Sequence, residues 1–153
     1  MPRSIQIGVI GGRDVTPEVI KAAESVGRLI AERNAILICG GLGGVMEATC
    51  RGAKTAGGTT VGILPVASRE EANPYVDIIV PTGMGVARNA IIIHSSDGII
   101  AVDGSYGTLS EIAFTLQFGI PLVTLQSWAI DPSVPAAKDP EEAVKMLFEL
   151  ISK

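Results

Sequence analysis

One cation in the middle of the sequence has a position suited to contacting a charged ligand. Arg88 is the only Lys or Arg between Arg69 and Lys138, and it follows the turn Gly83-Met84-Gly85 near the start of a predicted helix. A cation at a helix N-terminus opposes the helix dipole, at a cost of about 0.3–1 kcal/mol unless an anion compensates. Arg88 is therefore a candidate ligand contact. A structural ion pair with a nearby acid is the alternative.

A carboxylate later in the sequence has two interpretations. Glu111 follows Thr108 by three residues, which is the spacing of a capping box at the start of a helix. The functional interpretation is that Glu111 lies beside a phosphate-binding loop and faces the sugar of a nucleotide. There it would stabilise positive charge at the anomeric carbon or orient a water for attack. The spacing alone leaves both open.

Four further side chains near these two are candidate ligand contacts. Met84 and Asn89 flank Arg88 in the sequence. Asp103 ends a predicted strand, where it either accepts hydrogen bonds from sugar hydroxyls or caps the turn. Tyr106 either stacks on a base or covers the turn. The two cysteines are not in CxxC spacing and there is a single histidine, so we expect neither a disulfide framework nor a metal site.

Glycines cluster at four predicted strand-to-helix junctions. Ten of the 18 glycines lie there, namely Gly11, Gly12, Gly40, Gly41, Gly43, Gly44, Gly83, Gly85, Gly104 and Gly107. In a parallel sheet such junctions share the carboxyl edge, where backbone N–H groups and helix N-termini bind anions. The pattern predicts a phosphate-bearing ligand, with Ser105 and Thr108 among its contacts. The alternative is that these glycines only permit tight turns and close packing.

The elements that position these residues alternate regularly. Apolar runs at 5–10, 35–39, 60–64, 76–80, 98–102 and 121–125 predict strands, and segments 17–33, 45–56, 86–95, 108–118 and 140–151 predict helices. The strands are continuously rich in Ile and Val, which is typical of a parallel sheet covered on both faces. The sequence predicts one α/β domain over residues 1–153, a Rossmann-like doubly wound parallel sheet with helices on both faces.

Charge and hydropathy exclude several classes of protein. The 153 residues include 12 Lys or Arg and 16 Asp or Glu, for a net charge of −4, and no basic run occurs. Nucleic-acid binding through backbone charge is therefore not expected. No apolar stretch reaches the roughly 18 residues of a membrane span, so we expect a cytoplasmic protein. A mean hydropathy of +0.41 favours a homodimer or higher homo-oligomer.

Familiar nucleotide-binding fingerprints are missing. The segment Gly41-Leu42-Gly43-Gly44-Val45-Met46 has Met where GxGxxG requires Gly or Ala, and it follows the second strand rather than the first. The P-loop pattern GxxxxGK[ST] does not occur. We therefore expect neither NAD binding in the usual mode nor phosphoryl transfer at a P-loop.

Three segments resemble the signature of LOG-like Rossmann proteins. These are Gly40-Gly41-Leu42-Gly43-Gly44-Val45-Met46, then Arg88-Asn89, then Gly104-Ser105-Tyr106-Gly107-Thr108-Leu109-Ser110-Glu111. The best understood members are dimeric phosphoribohydrolases that release a free base, notably a cytokinin, from a nucleoside 5′-monophosphate. The resemblance implies catalytic roles for Arg88 and Glu111, and a phosphate-binding turn at Gly107 and Thr108.

Three departures from that signature bear on activity. Asn89 replaces a Lys, Asp103 replaces a Pro, and Ser105 replaces a Gly. The altered forms look like a short branch of the superfamily that is similar to molybdenum cofactor carrier proteins. An older description of such proteins as possible lysine decarboxylases requires a pyridoxal-phosphate lysine. No lysine lies between Lys54 and Lys138, so that description does not fit.

The sequence thus predicts a homodimeric protein that binds a nucleoside 5′-monophosphate or a related phosphorylated ligand. Its phosphate would lie over Gly107 and Thr108, with help from Gly43 and Gly44. Hydrolysis of the N-glycosidic bond is the reaction expected of an enzyme with these residues, and no resident cofactor is expected. The alternative is a non-catalytic binding or carrier protein for a phosphorylated cofactor such as molybdopterin.

Overall fold

Strands and helices alternate along the chain, as the sequence predicts. The structure, a computed structural model, describes residues 2–153. The strands are β1 Gln6–Gly11, β2 Ile36–Cys39, β3 Thr60–Leu64, β4 Ile78–Pro81, β5 Gly98–Val102, β6 Leu122–Leu125 and β7 Ala136–Ala137. The helices are α1 Pro17–Glu32, α2 Val45–Thr55, α3 Arg88–His94, α4 Tyr106–Phe118 and α5 Pro140–Ile151.

The strands form one parallel sheet in the order β4-β3-β2-β1-β5-β6-β7. From β1 the chain builds outward through β2, β3 and β4, and then returns to add β5 on the other side of β1. The order therefore reverses between β1 and β5. In open α/β sheets a crevice for ligands opens outside the carboxyl ends of the strands at this reversal.

Helices cover both faces of the sheet, which confirms the predicted Rossmann-like α/β fold. One face packs against α1, α2 and α5, and the other against α3 and α4. Successive residues of β1 show the division, because Ile7 and Val9 join the first core and Ile10 joins the second. Side chains alternate between the faces of a strand, so a strand covered on both sides must be apolar throughout.

Helix starts follow local side-chain chemistry. Thr16 caps α1 by accepting a hydrogen bond from the backbone N–H of Val19 at 3.3 Å, and Pro17 follows it. Asp139 caps α5 in the same way by accepting from the N–H of Glu142 at 2.8 Å, before Pro140. Proline suits the first helical position because an N–H there would have no acceptor within the helix, so its absence costs no hydrogen bond.

The start of α4 differs from the prediction. The helix begins at Tyr106, two residues early, with Ser105 as its cap. The Thr108 hydroxyl accepts the backbone N–H of Ser105 at 3.3 Å, so the third helical position is Thr108. The interpretation of Glu111 as a capping-box residue is therefore wrong, because the turn closes on Thr108 and leaves the Glu111 carboxylate out of the cap.

Three other boundaries differ from the prediction. The strand expected at 76–80 runs over Ile78–Pro81, and the helix expected at 86–95 is a single 3₁₀ turn, Gly85–Ala87, followed by α3. The segment between the strand expected at 121–125 and the helix expected at 140–151 contains β7, which pairs with β6 over two residues. A strand of two residues carries no periodic signal. None of the helices in residues 2–153 is long and apolar enough to cross a membrane.

Candidate functional site

A cleft of about 310 Å³ opens at the carboxyl ends of β1 and β2 and beside the start of α4. Its apolar wall includes Val9, Leu42 and Met46. Three ionisable side chains line it, Arg13, Arg88 and Glu111. The cleft therefore lies at the reversal of strand order, where the predicted glycine junctions converge.

Arg88 is the first residue of α3, and its side chain crosses to the end of β2. It is only 9% exposed. The guanidinium lies over Gly40, where an added Cβ would come within 2.8 Å of Nη2. Arg88 Nη1 donates to Oδ1 of Asn89, whereas Nε is buried with no hydrogen-bond partner in residues 2–153. A buried polar atom without a partner is costly, so this guanidinium is prepared for a group that the chain does not supply.

Glu111 faces the same cleft from the second turn of α4. It is 7% exposed, and its carboxylate accepts no hydrogen bond from the side chains or backbone of the described residues. Burial raises its pKa to about 7, against the opposing attraction of Arg88. Because desolvation outweighs that attraction, Glu111 exchanges a proton near neutral pH, as a general base or acid must.

Backbone groups at the start of α4 complete one side of the cleft. Ser105, Gly107 and Thr108 line it beside Glu111. The first N–H groups of a helix have no partner within the helix and carry partial positive charge. With Arg88 opposite them, these groups make the cleft suited to an anion.

Seven of the predicted contacts come together here. Gly11, Arg88, Asn89, Ser105, Gly107, Thr108 and Glu111 all line the cleft. Gly12, Asp103 and Gly104 instead line an adjoining cleft of about 240 Å³, together with Arg13, Asp14 and Ser105. Asp103 has a positive φ of 53°, and its carbonyl oxygen accepts from the hydroxyl of Ser127, so it turns the chain at the end of β5.

The remaining predicted contacts lie outside the lining of both clefts. These are Gly41, Gly43, Gly44, Met84 and Tyr106. At Gly44, with a φ of 66°, an added Cβ would lie 2.4 Å from the carbonyl oxygen of Arg13. This glycine lets the β1–α1 loop close against α2. Tyr106 is 83% exposed, and its ring stacks on Trp128 at 6.3 Å between centroids.

Two features of the site were missed in the sequence. Arg13 lines the cleft, and its only sequence signal is its place directly after Gly11-Gly12. Cys39 and Cys50 meet behind the cleft with their sulfurs 3.4 Å apart, and the Cys39 sulfur accepts the N–H of Gly41. That hydrogen bond and the one with Cys50 lower the pKa of Cys39 despite burial. Residues 2–153 contain no group of three or more His, Cys, Asp or Glu that could hold a metal ion.

Proteins of known sequence resemble most of this chain. An uncharacterised protein of Archaeoglobus fulgidus is 48% identical over 92% of both chains. A cytokinin riboside 5′-monophosphate phosphoribohydrolase of Mycobacterium tuberculosis is 36% identical over 72% of this chain and 64% of its own length.

Among solved structures, the molybdenum cofactor binding protein of Rippkaea orientalis superposes with a TM-score of 0.92. It is 37% identical and covers 97% of this chain and 98% of its own. The mycobacterial and Rippkaea proteins are both named for a small-molecule ligand, which supports ligand binding in this group. The model of the SLOG cluster4 family matches residues 4–150, so the resemblance to LOG-like proteins is confirmed and the chain belongs to the SLOG cluster4 family.

Proposed function

We propose that this protein binds a nucleoside 5′-monophosphate or a related phosphorylated ligand in the main cleft and hydrolyses its N-glycosidic bond. The observation that carries the proposal is the pair of buried ionisable groups, Arg88 and Glu111, that line the cleft beside a helix N-terminus. Neither group is fully satisfied within residues 2–153, since Arg88 Nε lacks a partner there and the Glu111 carboxylate accepts no hydrogen bond.

The phosphate would bind at the start of α4, where Ser105, Gly107 and Thr108 line the cleft. Unpaired N–H groups and the helix dipole favour a dianion there. The sugar would then lie toward Glu111, one turn further along the same helix. The apolar wall formed by Val9, Leu42 and Met46 suits a flat base.

In the reaction the bond between C1′ and the base nitrogen breaks, and its electron pair leaves with the base. Water adds to C1′, giving ribose 5-phosphate, and the leaving nitrogen gains a proton. Ionised Glu111 would stabilise the positive charge that develops on the ribose and take a proton from the attacking water. Arg88 would hold the substrate by binding its phosphate.

The direct test is turnover of a panel of nucleoside 5′-monophosphates at pH 8, with chromatography of the released base and ribose 5-phosphate. Glu111→Gln should lower turnover about 100-fold or more, because no other carboxylate of residues 2–153 lines the main cleft. Glu149→Gln, at an exposed position of α5, is the matched control and should match the wild type. Absence of turnover across the panel would refute the catalytic proposal.

The pH profile gives a second readout of the same proposal. Because the base form of Glu111 does the work and its pKa is about 7, kcat/KM should rise with pH and level off above pH 7. A profile that is flat between pH 5.5 and 8.5 would exclude Glu111 as the base.

The second candidate is a non-catalytic binding or carrier protein for a phosphorylated cofactor such as molybdopterin. Asn89 favours it, because this residue stands where the resemblance has Lys and its amide oxygen is occupied by Arg88. The near-complete overlap with the Rippkaea protein supports it as well. Native mass spectrometry of the protein purified from its own host distinguishes the two functions, since a carrier retains a pterin.

We also propose that the protein forms a homodimer. Large apolar side chains are exposed near the cleft, including Val86 at 85%, which lines it, and Tyr106 at 83%, which lies between the lining residues Ser105 and Gly107 in the sequence. Burying such side chains against a second copy is favourable by about 25 cal/mol per Å². Light scattering should give twice the chain mass for the wild type and a lower mass for Val86→Glu. A wild type that stays monomeric at 100 μM or so would contradict this proposal.

A further inference from the structure

Arg13 is an unpaired cation at the border of the two clefts. It lines the main cleft with Arg88 and Glu111, and the adjoining cleft with Asp14 and Asp103. The side chain is exposed, and no carboxylate of residues 2–153 lies within 4.0 Å of its guanidinium. Its charge is thus available to a molecule in either cleft.

The backbone of Arg13 is held firmly although its side chain is free. The N–H of Val45, the first residue of α2, donates to the carbonyl oxygen of Gly12 at 3.0 Å. Gly44 lies so close that an added Cβ would come within 2.5 Å of the Arg13 Cα. The loop therefore presents this side chain at a constant place, which favours binding because little backbone order is lost.

Two like charges converge on one cleft. Burial lowers the pKa of Arg88 and the charge of Arg13 lowers it further, against the attraction of Glu111. Glu111, whose pKa is about 7, is partly protonated at neutral pH and then compensates neither arginine. In a protein with a net charge of −4, two arginines in the lining of one cleft concentrate positive charge there, which favours an anionic ligand.

A second observation supports a ligand here, since Arg88 lines the same cleft, is nine-tenths buried and leaves its Nε without a hydrogen-bond partner in residues 2–153. A terminal phosphoryl group offers three oxygens and about two negative charges, enough to satisfy two guanidinium groups and a helix N-terminus together. A nucleoside without phosphate offers no charge to either arginine.

We propose that Arg13 is the second guanidinium of the anion site and makes the cleft selective for the phosphorylated ligand over its dephosphorylated form. The inference rests on the proposed function, because that function supplies the phosphate. It goes further in assigning the selectivity to a residue outside the segments that carry the family resemblance.

The test is isothermal titration of AMP, adenosine and inorganic phosphate into wild type, Arg13→Ala, Arg13→Lys and Arg28→Ala. Arg28 is the matched control, since it lies on α1 and lines neither cleft. Arg13→Ala should weaken AMP binding by about 10- to 100-fold, as expected for one charged hydrogen-bonding group, and leave adenosine binding within about twofold. Arg13→Lys should be intermediate, because lysine keeps the charge without the planar fork.

The outcomes separate this inference from the proposed function. Equal AMP affinity in the wild type and Arg13→Ala overturns the role of Arg13 and leaves nucleotide binding intact. Phosphate binding that depends on Arg13, with no binding of AMP, overturns the nucleotide proposal and supports Arg13. A wild type that binds neither AMP nor phosphate overturns both.

Discussion

The two edges of the sheet treat charge in opposite ways. At the amino edge, Asp77 and Asp97 each precede a strand and accept hydrogen bonds from the start of a neighbouring strand. Asp77 accepts from the Thr60 N–H at 3.0 Å and from Lys54 Nζ at 2.8 Å. Asp97 accepts from the backbone N–H of Gln6 at 2.9 Å. These carboxylates are satisfied by the chain itself.

At the carboxyl edge Arg88 and Glu111 are more deeply buried than Asp77 and Asp97 and have fewer hydrogen-bond partners. Burial alone would raise the pKa of Asp77, yet its hydrogen-bond partners hold that pKa below the ordinary value. For Glu111 the effect of burial prevails and raises the pKa to about 7. The carboxylates at the amino edge are thus used in hydrogen bonds that stabilise the fold. At the carboxyl edge, Arg88 and Glu111 keep polar atoms without a partner in residues 2–153. This division makes separate predictions for variants at the two edges.

The largest effect is expected for Arg88→Met at the carboxyl edge. Methionine keeps much of the volume and removes the charge, so affinity for AMP should fall about 100-fold or more, equivalent to ~3 kcal/mol. The free energy of unfolding should stay within about 1 kcal/mol of the wild type, because loss of the bond to Asn89 is offset by removal of the unpartnered Nε. Glu111, whose pKa is already about 7, takes up a proton when the attraction of Arg88 is lost and so does not remain as a buried unpaired charge. Titration calorimetry and urea denaturation measure the two quantities. If Arg88→Met lowers the free energy of unfolding and leaves AMP affinity unchanged, Arg88 serves stability, as the carboxylates of the amino edge do.

Glu111→Gln should change how stability depends on pH. Below pH 4.5 the carboxyl is protonated in both states. Between pH 4.5 and about 7 the unfolded chain releases this proton first, so stability of the wild type falls as pH rises. The advantage of the glutamine variant should therefore be about 3 kcal/mol greater at pH 8 than at pH 4.5. Urea denaturation at both pH values is the measurement, and an advantage independent of pH would contradict it.

A smaller effect is expected at the amino edge, where Asp77→Ala leaves the Thr60 N–H and the Lys54 ammonium without their acceptor. Because the site is partly open to water, the loss should be about 1–2 kcal/mol of unfolding free energy. AMP affinity of the folded variant should be unchanged. Glu149→Ala, at an exposed position of α5, is the control and should leave the melting temperature unaltered. Weaker AMP binding by the folded Asp77→Ala variant would show that the two edges are coupled.

The smallest effect is expected away from both edges. Arg28 pairs with Glu32 at 2.8 Å on the outer surface of α1, with both side chains largely in water. Such pairs contribute about 0.3–0.5 kcal/mol. Arg28→Ala should therefore change unfolding by no more than this and leave AMP binding unaltered. A larger loss would mean that surface charge contributes as much as the amino-edge network.

Local sequence was sufficient for most elements and for part of the site. Continuous Ile and Val runs predicted the central strands, since only a strand covered on both faces needs them. Arg88 and Glu111 stood out through position and through the family signature, and both line the cleft. The capping alternative for Glu111 failed because the turn before α4 closes on Ser105 and Thr108, a matter of two residues that the pattern does not resolve.

The place of Arg13 in the cleft could not be predicted from its neighbours in the sequence. Nothing within ten residues of Arg13 indicates an anion site beyond Gly11-Gly12. The two other ionisable side chains of the cleft, Arg88 and Glu111, lie 75 and 98 residues further along the chain. The two-residue strand β7 was not predicted from the sequence either, because it is defined only by its pairing with β6.

By itself the sequence determined the strand and helix types, the sheet class and the residues able to do chemistry. Those properties follow from hydrophobic periodicity, glycine at turns and side-chain type, all of which act over a few residues. Only the tertiary structure decided that Arg13, Arg88 and Glu111 share one cleft and that Asp77 and Asp97 do not. The physical reason is that burial, desolvation and like-charge repulsion depend on distances in space, which the crossover from β4 to β5 sets.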